Sequence, residues 1–464
     1  MRCAMAAALL LLAGCSGPDP RPLDPERSEA EFRSRRLDDP ELLAWLEAQG
    51  VRRPAPWTLD SLTLAAFYFH PDLDVARARL VGVRAGETTA AEVPNPVLSA
   101  NLEKVIGSAP FGTSPWVYGF NLQMPLDFLW KRGYRMDEAR ARSQGARLEL
   151  AEAGWQARRR VRAALLEVVL RGREIELRTR DRALRGNASA AAALLLSTGE
   201  ASRLEADRAR IEETGSLLAL EELRGTAQSA RAALASAVGL PLAGLGTEAV
   251  EWPTLDAPPE LPEGLQEAGL LNRLDVRRAL AEYAAAEAVL GFELAKRYPD
   301  VTLGPGYLFD QGDRKFTIGL SVSLPIFNQN GGPIQEAEAK RQEAGARFLA
   351  IQARAIGDFE EAAARYQAAR AQGARLRELL ETVERRHAGV RRAVELGEAD
   401  RVTLLGIEAE RLAVESARLE SLRRTQEALG ALEDAVQRPI DGALPSFKFP
   451  DLPRRQASAP KEPR

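Results

Sequence analysis

The amino-acid sequence predicts a mainly α-helical protein with a membrane β-barrel portion, built from an internal duplication. Two similar phrases, NLQMPLDFLWKRG around Pro125 and SVSLPIFNQNGGP around Pro325, place their prolines 200 residues apart. Alternating apolar residues precede each proline, which is typical of a strand with one apolar face. Long stretches dominated by Ala, Arg, Glu and Leu follow each phrase, and this composition favours extended helices and coiled coils.

The first residues, MRCAMAAALLLLAGCSG, indicate an export signal. The apolar run from Ala4 to Ala13 is too short to cross a bilayer, which requires about 20 residues. Leu12-Ala13-Gly14-Cys15 resembles a bacterial lipobox, and this resemblance implies cleavage before Cys15 and lipidation of its thiol. The alternative is an ordinary signal peptide followed by an unrelated cysteine.

Composition also limits the chemistry that the chain can perform. A formal net charge of -3 and a pI of about 5.9 give no reason to expect nucleic acid as a partner. The only histidines, His70 and His387, lie far apart, and Cys3 would leave with the signal. One remaining cysteine and two distant histidines cannot build a zinc site or a Cys–His nucleophile at the usual spacing. We therefore expect no catalytic residue, metal site, cofactor or intrachain disulfide, and a hydrolase hidden in the helical region has no support.

Four landmarks recur in the same order about 200 residues apart. For example, Leu-Asp-Val begins at Leu73 and again at Leu274, and Gly-Glu-Ala begins at Gly199 and again at Gly397. Each half is therefore predicted as helix, strand, strand, long helix, turn and long helix. The predicted units are a lipoprotein signal peptide (1–14), an N-terminal segment with one short helix around Pro40 to Ala48 (15–57), a first repeat (58–240), a connector (241–263), a second repeat (264–437) and a disordered tail (438–464).

Four strands are predicted, two in each repeat. Apolar residues alternate with small or polar ones from Phe316 to Leu324 and from Tyr118 to Met124. Weaker versions start at Pro96 and Asp300, where Pro305 and glycines interrupt the second. Strands of about 9–11 residues with this alternation are typical of transmembrane β-barrels. Four edge strands of a soluble sandwich are the alternative.

If these strands enter lipid, their backbone groups must all be paired, so the sheet must close. Barrels start at about eight strands, so four strands cannot close alone and sister copies must supply the rest. Two copies would give eight strands and three would give twelve, and a duct that is wide enough for cargo favours twelve. The predicted strand exits are Pro125 and Pro325, because proline cannot donate to a strand ladder. Pro333 suits the first position of the following helix.

Long coiled-coil helices follow each strand pair. In the second repeat, seam residues recur about every 3.5 positions, the coiled-coil period. A helix from about Pro333 to Glu384 would be roughly 78 Å long, too long for a compact domain. The predicted seam is Phe348, Ile351, Ala355, Phe359, Ala362, Tyr366, Ala369, Gly373, Leu376, Leu380 and Val383.

Together, the lipobox, the duplicated strand exits and the duplicated GEAS and GEAD turns resemble the TolC-like outer-membrane efflux family. The phrase SLPIFNQNGGPIQEAEA is most similar to its heavy-metal branch. The resemblance implies a homotrimer with a twelve-stranded barrel in the outer membrane and a twelve-helix periplasmic tunnel. It also implies docking to a periplasmic adaptor protein and an inner-membrane pump.

The resemblance assigns adaptor contacts to the two helical hairpin tips. It further implies a carboxylate at the tunnel aperture six residues after the tip glycine, which is Glu205 in the first repeat but Thr403 in the second. A solvated helix face is the alternative for Glu205. We expect a passive duct that exports metal ions or drugs; the alternative is a lipid-anchored periplasmic coiled-coil scaffold. The predicted tip contacts are Gly199, Glu200, Ser202, Gly397, Glu398 and Asp400.

Overall fold

The structure, a computed structural model, describes residues 20, 22–52, 54–107 and 112–440. The predicted signal peptide, Cys15 and most of the predicted tail lie outside the described residues. The elements are α1 (Pro25–Ser34), α2 (Pro40–Ala48), α3 (Leu59–Phe69), α4 (Pro71–Ala91), β1 (Val97–Lys104), β2 (Trp116–Pro125), α5 (Arg132–Thr198), α6 (Arg203–Val238), α7 (Leu242–Leu245), α8 (Leu265–Asn272), α9 (Leu274–Ala295), β3 (Val301–Asp310), β4 (Asp313–Val322), α10 (Gly331–Glu395) and α11 (Arg401–Val436), with a short 3-10 helix (Asp127–Leu129) before α5.

Both repeats show the predicted order of elements, with the leading helices at Leu-Asp-Val observed as α4 and α9 and one further helix in front of each. In the first repeat, α3 ends at Phe69 and Pro71 starts α4. In the second, a break at Arg273 separates α8 from α9. The N-terminal segment holds two helices where one was expected. The additional helix, α1, was missed because it buries no residue, although Asp24 caps it in front of a proline.

The two longest helices set the dimensions of the molecule. With 67 and 65 residues, α5 and α10 are each about 100 Å long at 1.5 Å per residue. The predicted limits of α10 were too short at both ends, since nothing from Arg385 to Glu395 stops a helix. Its first turn begins after Asn330, which adopts a φ of 59° and donates from Nδ2 to the Glu293 carbonyl at 2.8 Å. Pro333 is therefore the third residue of α10, not the first.

The predicted seam of α10 is confirmed, because all eleven positions are buried or partly buried. Tyr366 is fully enclosed, and its hydroxyl donates to the carbonyl of Pro259 in the connector at 2.5 Å. Gly373 lies against Ser421 of α11. Among the described residues, no helix has the length and apolar character that a bilayer span requires.

The shorter helices stack end to end beside the long ones. At one junction, the residue that follows α6, Gly239, lies so close to α3 that a Cβ atom would come within 2.9 Å of the Phe69 carbonyl. At the equivalent junction, Arg273 donates to the Ala435 carbonyl of α11 at 3.0 Å. In the first repeat, α4 and α6 therefore stack end to end beside α5. In the second repeat, α9 and α11 stack end to end beside α10 in the same way.

The helices end in a four-stranded antiparallel sheet with the order β1-β2-β3-β4. The register aligns Phe120 with Tyr307 and Tyr307 with Phe316, and these rings pack at 5.6 and 5.5 Å. On the opposite face, Asn121 donates to the Gly304 carbonyl at 3.2 Å. One face is thus apolar and the other small and polar, as the alternation predicts.

The strand ends are defined by backbone pairing. β2 ends at Pro125, and the next N–H, that of Leu126, donates to the Val301 carbonyl at 2.8 Å. β4 ends at Val322, two residues short of the predicted alternation, and Pro325 lies in the tight turn that follows. Inside β3, the ladder to β2 is interrupted at Pro305, which has no N–H to donate. In the described residues, β1 and β4 are edge strands without a further partner.

A buried ionic cluster joins the two repeats at mid-height. Glu433 of α11 is 2% exposed and accepts from Arg158 at 3.0 Å and from Arg162 at 3.2 Å, both on α5. The Ile440 N–H donates to its second oxygen at 3.0 Å. Since two guanidinium groups share this carboxylate away from water, its charge is essential to the packing of α5 against α11.

We expect Glu433→Gln to destabilise the chain by about 3–5 kcal/mol, because it removes the carboxylate charge that the two buried guanidinium groups share. The matched control is Glu410→Gln, which breaks an exposed pair with Arg386 and should cost under about 1 kcal/mol. Thermal unfolding followed by circular dichroism in detergent measures both. Equal melting temperatures for the two variants would contradict a structural role for the cluster.

Candidate functional site at the hairpin tips

The tip between α5 and α6 is closed by a set of backbone hydrogen bonds. Gly199 follows α5 with a φ of 81°, a conformation that glycine adopts without steric cost. The N–H groups of Glu200 and Ala201 then both donate to the Leu195 carbonyl, at 2.8 and 3.1 Å. These bonds satisfy the carbonyl groups that the end of the helix leaves open.

The tip between α10 and α11 repeats this arrangement. Gly397 has a φ of 77°, and the N–H groups of Glu398 and Ala399 donate to the Ala393 carbonyl at 2.8 and 3.3 Å. The duplication is therefore preserved down to individual hydrogen bonds. It places the glycine, glutamate and cap positions of both predicted tip sites in the same local geometry.

The two tips differ in how the next helix begins. At the first tip, Ser202 accepts from the Glu205 N–H at 3.2 Å, and the Glu205 carboxylate accepts from the Ser202 N–H at 2.7 Å. This reciprocal arrangement is a capping box. The hydrogen bond from the Ser202 backbone lowers the pKa of Glu205, so its carboxylate is charged at neutral pH.

At the second tip, Asp400 alone caps the helix and accepts from the Thr403 N–H at 2.7 Å. Its hydrogen bonds with Thr403 lower the pKa of the Asp400 carboxyl group. Each tip thus carries one carboxylate at a helix N-terminus, where the helix dipole favours it. The first tip uses a serine cap with a glutamate three residues later, and the second uses an aspartate cap, which needs no glutamate at that position. This explains why Glu205 is replaced by Thr403, and the S-x-x-E spacing from Ser202 could have revealed it.

Both tips lie at the same end of the molecule, opposite the sheet. α5 and α11 are antiparallel, since ion pairs join Arg158 to Glu433 and, further along both helices, Arg180 to Glu415 at 2.9 Å. Closer to the tips, Leu184 packs in one apolar cluster with α11. The six predicted tip residues are therefore brought together at one end.

Sequence reasoning missed two apolar side chains at this end. Leu204 and Val402 occupy equivalent positions, two residues after each cap, and both are largely exposed. An apolar residue in that place has no core to enter, so it is available to another protein chain. The duplication at an offset of 198 was the signal that could have identified the pair.

Comparison with known proteins shows what the chain is similar to. The sequence profile of the family described as outer membrane efflux protein matches residues 265–436, which cover the second repeat. The second repeat is therefore similar to the outer membrane efflux proteins. The cobalt-zinc-cadmium resistance protein CzcC of Cupriavidus metallidurans is 27% identical over 297 residues, covering 64% of this chain and 69% of CzcC. The TolC-like resemblance of the sequence is thereby confirmed.

Solved structures of outer-membrane proteins and channels share this fold. VceC of Vibrio cholerae superposes with a TM-score of 0.66 at 22% identity, covering 83% of this chain and 96% of VceC. CusC gives 0.66 at 19% identity over 82% of this chain and 91% of its own. The outer-membrane channel OprN gives 0.64 at 20% identity over 91% and 98%. The long hairpins and the strand pairs of this chain thus follow the fold of these solved structures.

We expect Ser202→Ala to destabilise the first tip by about 1 kcal/mol, through loss of the N-cap. Hydrogen exchange should become faster at residues 203–206 and stay unchanged at the second tip. Asp400→Ala should speed exchange at the second tip and leave the first tip unchanged. Because the pKa of Asp400 is lowered, its cap is complete at neutral pH and is lost only as pH falls below the usual 3.8.

The control is Ser216→Ala in the interior of α6, where the hydroxyl donates a hydrogen bond to the Glu213 carbonyl of the same helix and caps no helix end. Exchange at both tips should be unaffected by this variant. If Ser216→Ala and Ser202→Ala have the same effect, the cap at Ser202 does not stabilise the tip.

Proposed function

We propose that the chain is the outer-membrane channel component of a tripartite efflux system, a passive trimeric duct that exports metal ions or drugs from the periplasm. The observation that carries this proposal is the four-stranded sheet with an exposed apolar face, continued by helices about 100 Å long. The apolar face of the sheet is suited to contact lipid. The helices are long enough to reach from the outer membrane towards an adaptor and a pump.

The sheet is unsuited to water as a separate unit. On β4, Phe316 is 87% and Ile318 83% exposed, and β1 exposes Leu98 and Leu102. Exposed apolar surface costs about 25 cal/mol per Å² in water, and lipid removes that cost. The open edges at β1 and β4 require strand partners in lipid, and three copies would close a twelve-stranded barrel.

The helices present a second surface that suits a sister copy. Leu204, Ile211 and Leu218 recur every seven residues on α6, and all three side chains are exposed. Exposed Leu379 of α10 lies 16 residues before Glu395, while Leu218 lies 15 residues after the start of α6. Leu218, at one end of the stripe Leu204–Ile211–Leu218, therefore lies at about the same height as Leu379 of α10, and the stripe itself has heptad spacing.

The remaining parts of the proposal concern the two ends of the duct. Lipidated Cys15 would anchor the chain in the outer membrane, since more than one acyl chain gives stable attachment. The six tip residues, together with Leu204 and Val402, would contact the adaptor protein. Glu205, one per copy, would contribute a ring of three carboxylates at the tunnel aperture. CzcC is a cobalt-zinc-cadmium resistance protein, and this supports metal ions as one class of cargo.

The alternative is a lipid-anchored periplasmic scaffold that never enters the bilayer. The alternating strands argue against it, because a scaffold would keep the aromatic face of Tyr118, Phe120 and Phe309 in water. The two proposals differ in two measurable properties, because only the duct requires trimers and conducts ions.

We expect the purified full-length protein to form detergent-resistant trimers and to conduct ions in planar bilayers. Ile211→Asp should reduce the trimer fraction at least about tenfold, because a charge would enter the centre of an apolar seam. Leu23→Asp, at an exposed site outside the helices, is the control and should leave trimers intact. Monomers without conductance would favour the scaffold.

Glu205 can be tested with a pair of substitutions. Glu205→Gln removes the charge but keeps an oxygen that accepts the Ser202 N–H, whereas Glu205→Ala removes both. If three carboxylates line the aperture, both variants should lower cation selectivity in planar bilayers by about the same factor, and only Glu205→Ala should speed hydrogen exchange at the tip. Unchanged selectivity in both variants would leave Glu205 with its capping role alone.

A further inference from the structure

His70 is a buried side chain at the junction where α3, α4, α5 and α6 meet. It occupies the N-cap position of α4, and its Nδ1 accepts the Asp72 N–H at 3.2 Å. Its Nε2 lies 3.2 Å from a guanidinium nitrogen of Arg160 on α5. A neutral imidazole has one nitrogen that can accept a hydrogen bond, and an imidazolium has none. Protonation would therefore remove the cap and place a cation beside Arg160.

The Asp72 carboxylate lies between two possible partners. Its Oδ2 accepts from Arg160 at 2.7 Å, which links α4 to α5, and lies 3.8 Å from His70 Nδ1. The hydrogen bond from Arg160 lowers the pKa of Asp72, so the carboxylate is charged throughout the neutral range. A protonated His70 would compete with Arg160 for this same oxygen, because Nδ1–H would then be a charged donor.

Two other charged groups near the His70 ring have opposite effects on its protonation. Asp74 on α4 favours protonation, whereas Arg35, before α2, opposes it. Arg35 is held by the Phe69 carbonyl at 2.8 Å and by the Gly239 carbonyl at 3.2 Å. Burial is the largest effect and lowers the pKa of His70 from its usual 6.5.

We propose that His70 is a proton-operated switch: its protonation transfers Asp72 from Arg160 to the imidazolium and thereby removes this link between α4 and α5, while the Arg79–Glu149 ion pair at 3.2 Å still joins the two helices. Above pH 6.5 the ring is neutral in the folded and unfolded states, and the link is complete. As pH falls below 6.5, the unfolded chain takes up the proton first, so the free energy of unfolding decreases. The switch goes beyond export itself and does not require a working channel.

The test uses the full-length protein in detergent, with spin labels on α4 and α5 at Val75→Cys and Ala163→Cys, both exposed positions. Double electron–electron resonance should show a longer or broader distance at a pH at which the imidazole is protonated than at about pH 7.5. In His70→Asn the distance should not respond to pH, because the side-chain oxygen of the introduced asparagine accepts the same N–H and does not titrate in this range.

His387→Asn is the matched control, since it removes the only other histidine and should keep the response of the distance to pH. It also leaves His70 as the sole histidine, so the ¹⁵N imidazole signals report its titration directly even if His70→Asn fails to fold. We expect the ring to titrate below 6.5, together with the change in distance. A response that persists in His70→Asn, or a ring that titrates without any change in distance, would overturn the switch.

Discussion

The main-chain hydrogen bonds of the sheet are the constraint on which the rest of the architecture depends. Four strands pair with one another and leave the outer edges of β1 and β4 open. Their apolar side chains point to one face, so the sheet suits a lipid environment, and in lipid open edges are very costly. A single copy cannot satisfy both conditions. The stripe Leu204–Ile211–Leu218 on α6 has the same consequence at the other end of the molecule, because it too lacks a partner within the described part of the chain.

Between these two ends, the fold depends on long uninterrupted helices and on short ones that stack. α5 and α10 each run from the sheet to a tip without a break, while α4–α6 and α9–α11 meet at junctions held by backbone carbonyls. The buried charges Arg158, Arg162 and Glu433 lie at this level, between the repeats. Mid-height is therefore where the two halves of the duplication are fixed to each other and where the helix lines are interrupted.

The sequence was sufficient to predict structure wherever a helix or strand periodicity of apolar residues extended over many positions. The seam from Phe348 to Val383, the alternation in β4 and the order of elements in both repeats were all readable. Features that depend on one residue and its local hydrogen bonds were not, such as the turn at Asn330 and the polar helix α1. The pairing of Arg158 with Glu433 was out of reach for a different reason. Those residues are far apart in the chain, and only the packing of α5 on α11 brings them together.

The two junctions show how the duplicated halves have diverged. At the first, Asp72 of α4 pairs with Arg160 of α5; at the equivalent positions of the second, Arg273 precedes α9 and lies 3.5 Å from Asp358 of α10. The charges are exchanged, but the link between the two helices is kept. At the sequence offset of 201 residues, Leu271 corresponds to His70, and its side chain cannot take up a proton. A proton can therefore act on the first junction and not on the second. If both junctions carried a histidine, one pH change would weaken both. With a histidine only at the first junction, protonation would weaken the α4–α5 contact of the first repeat and leave the α9–α10 contact of the second repeat unchanged.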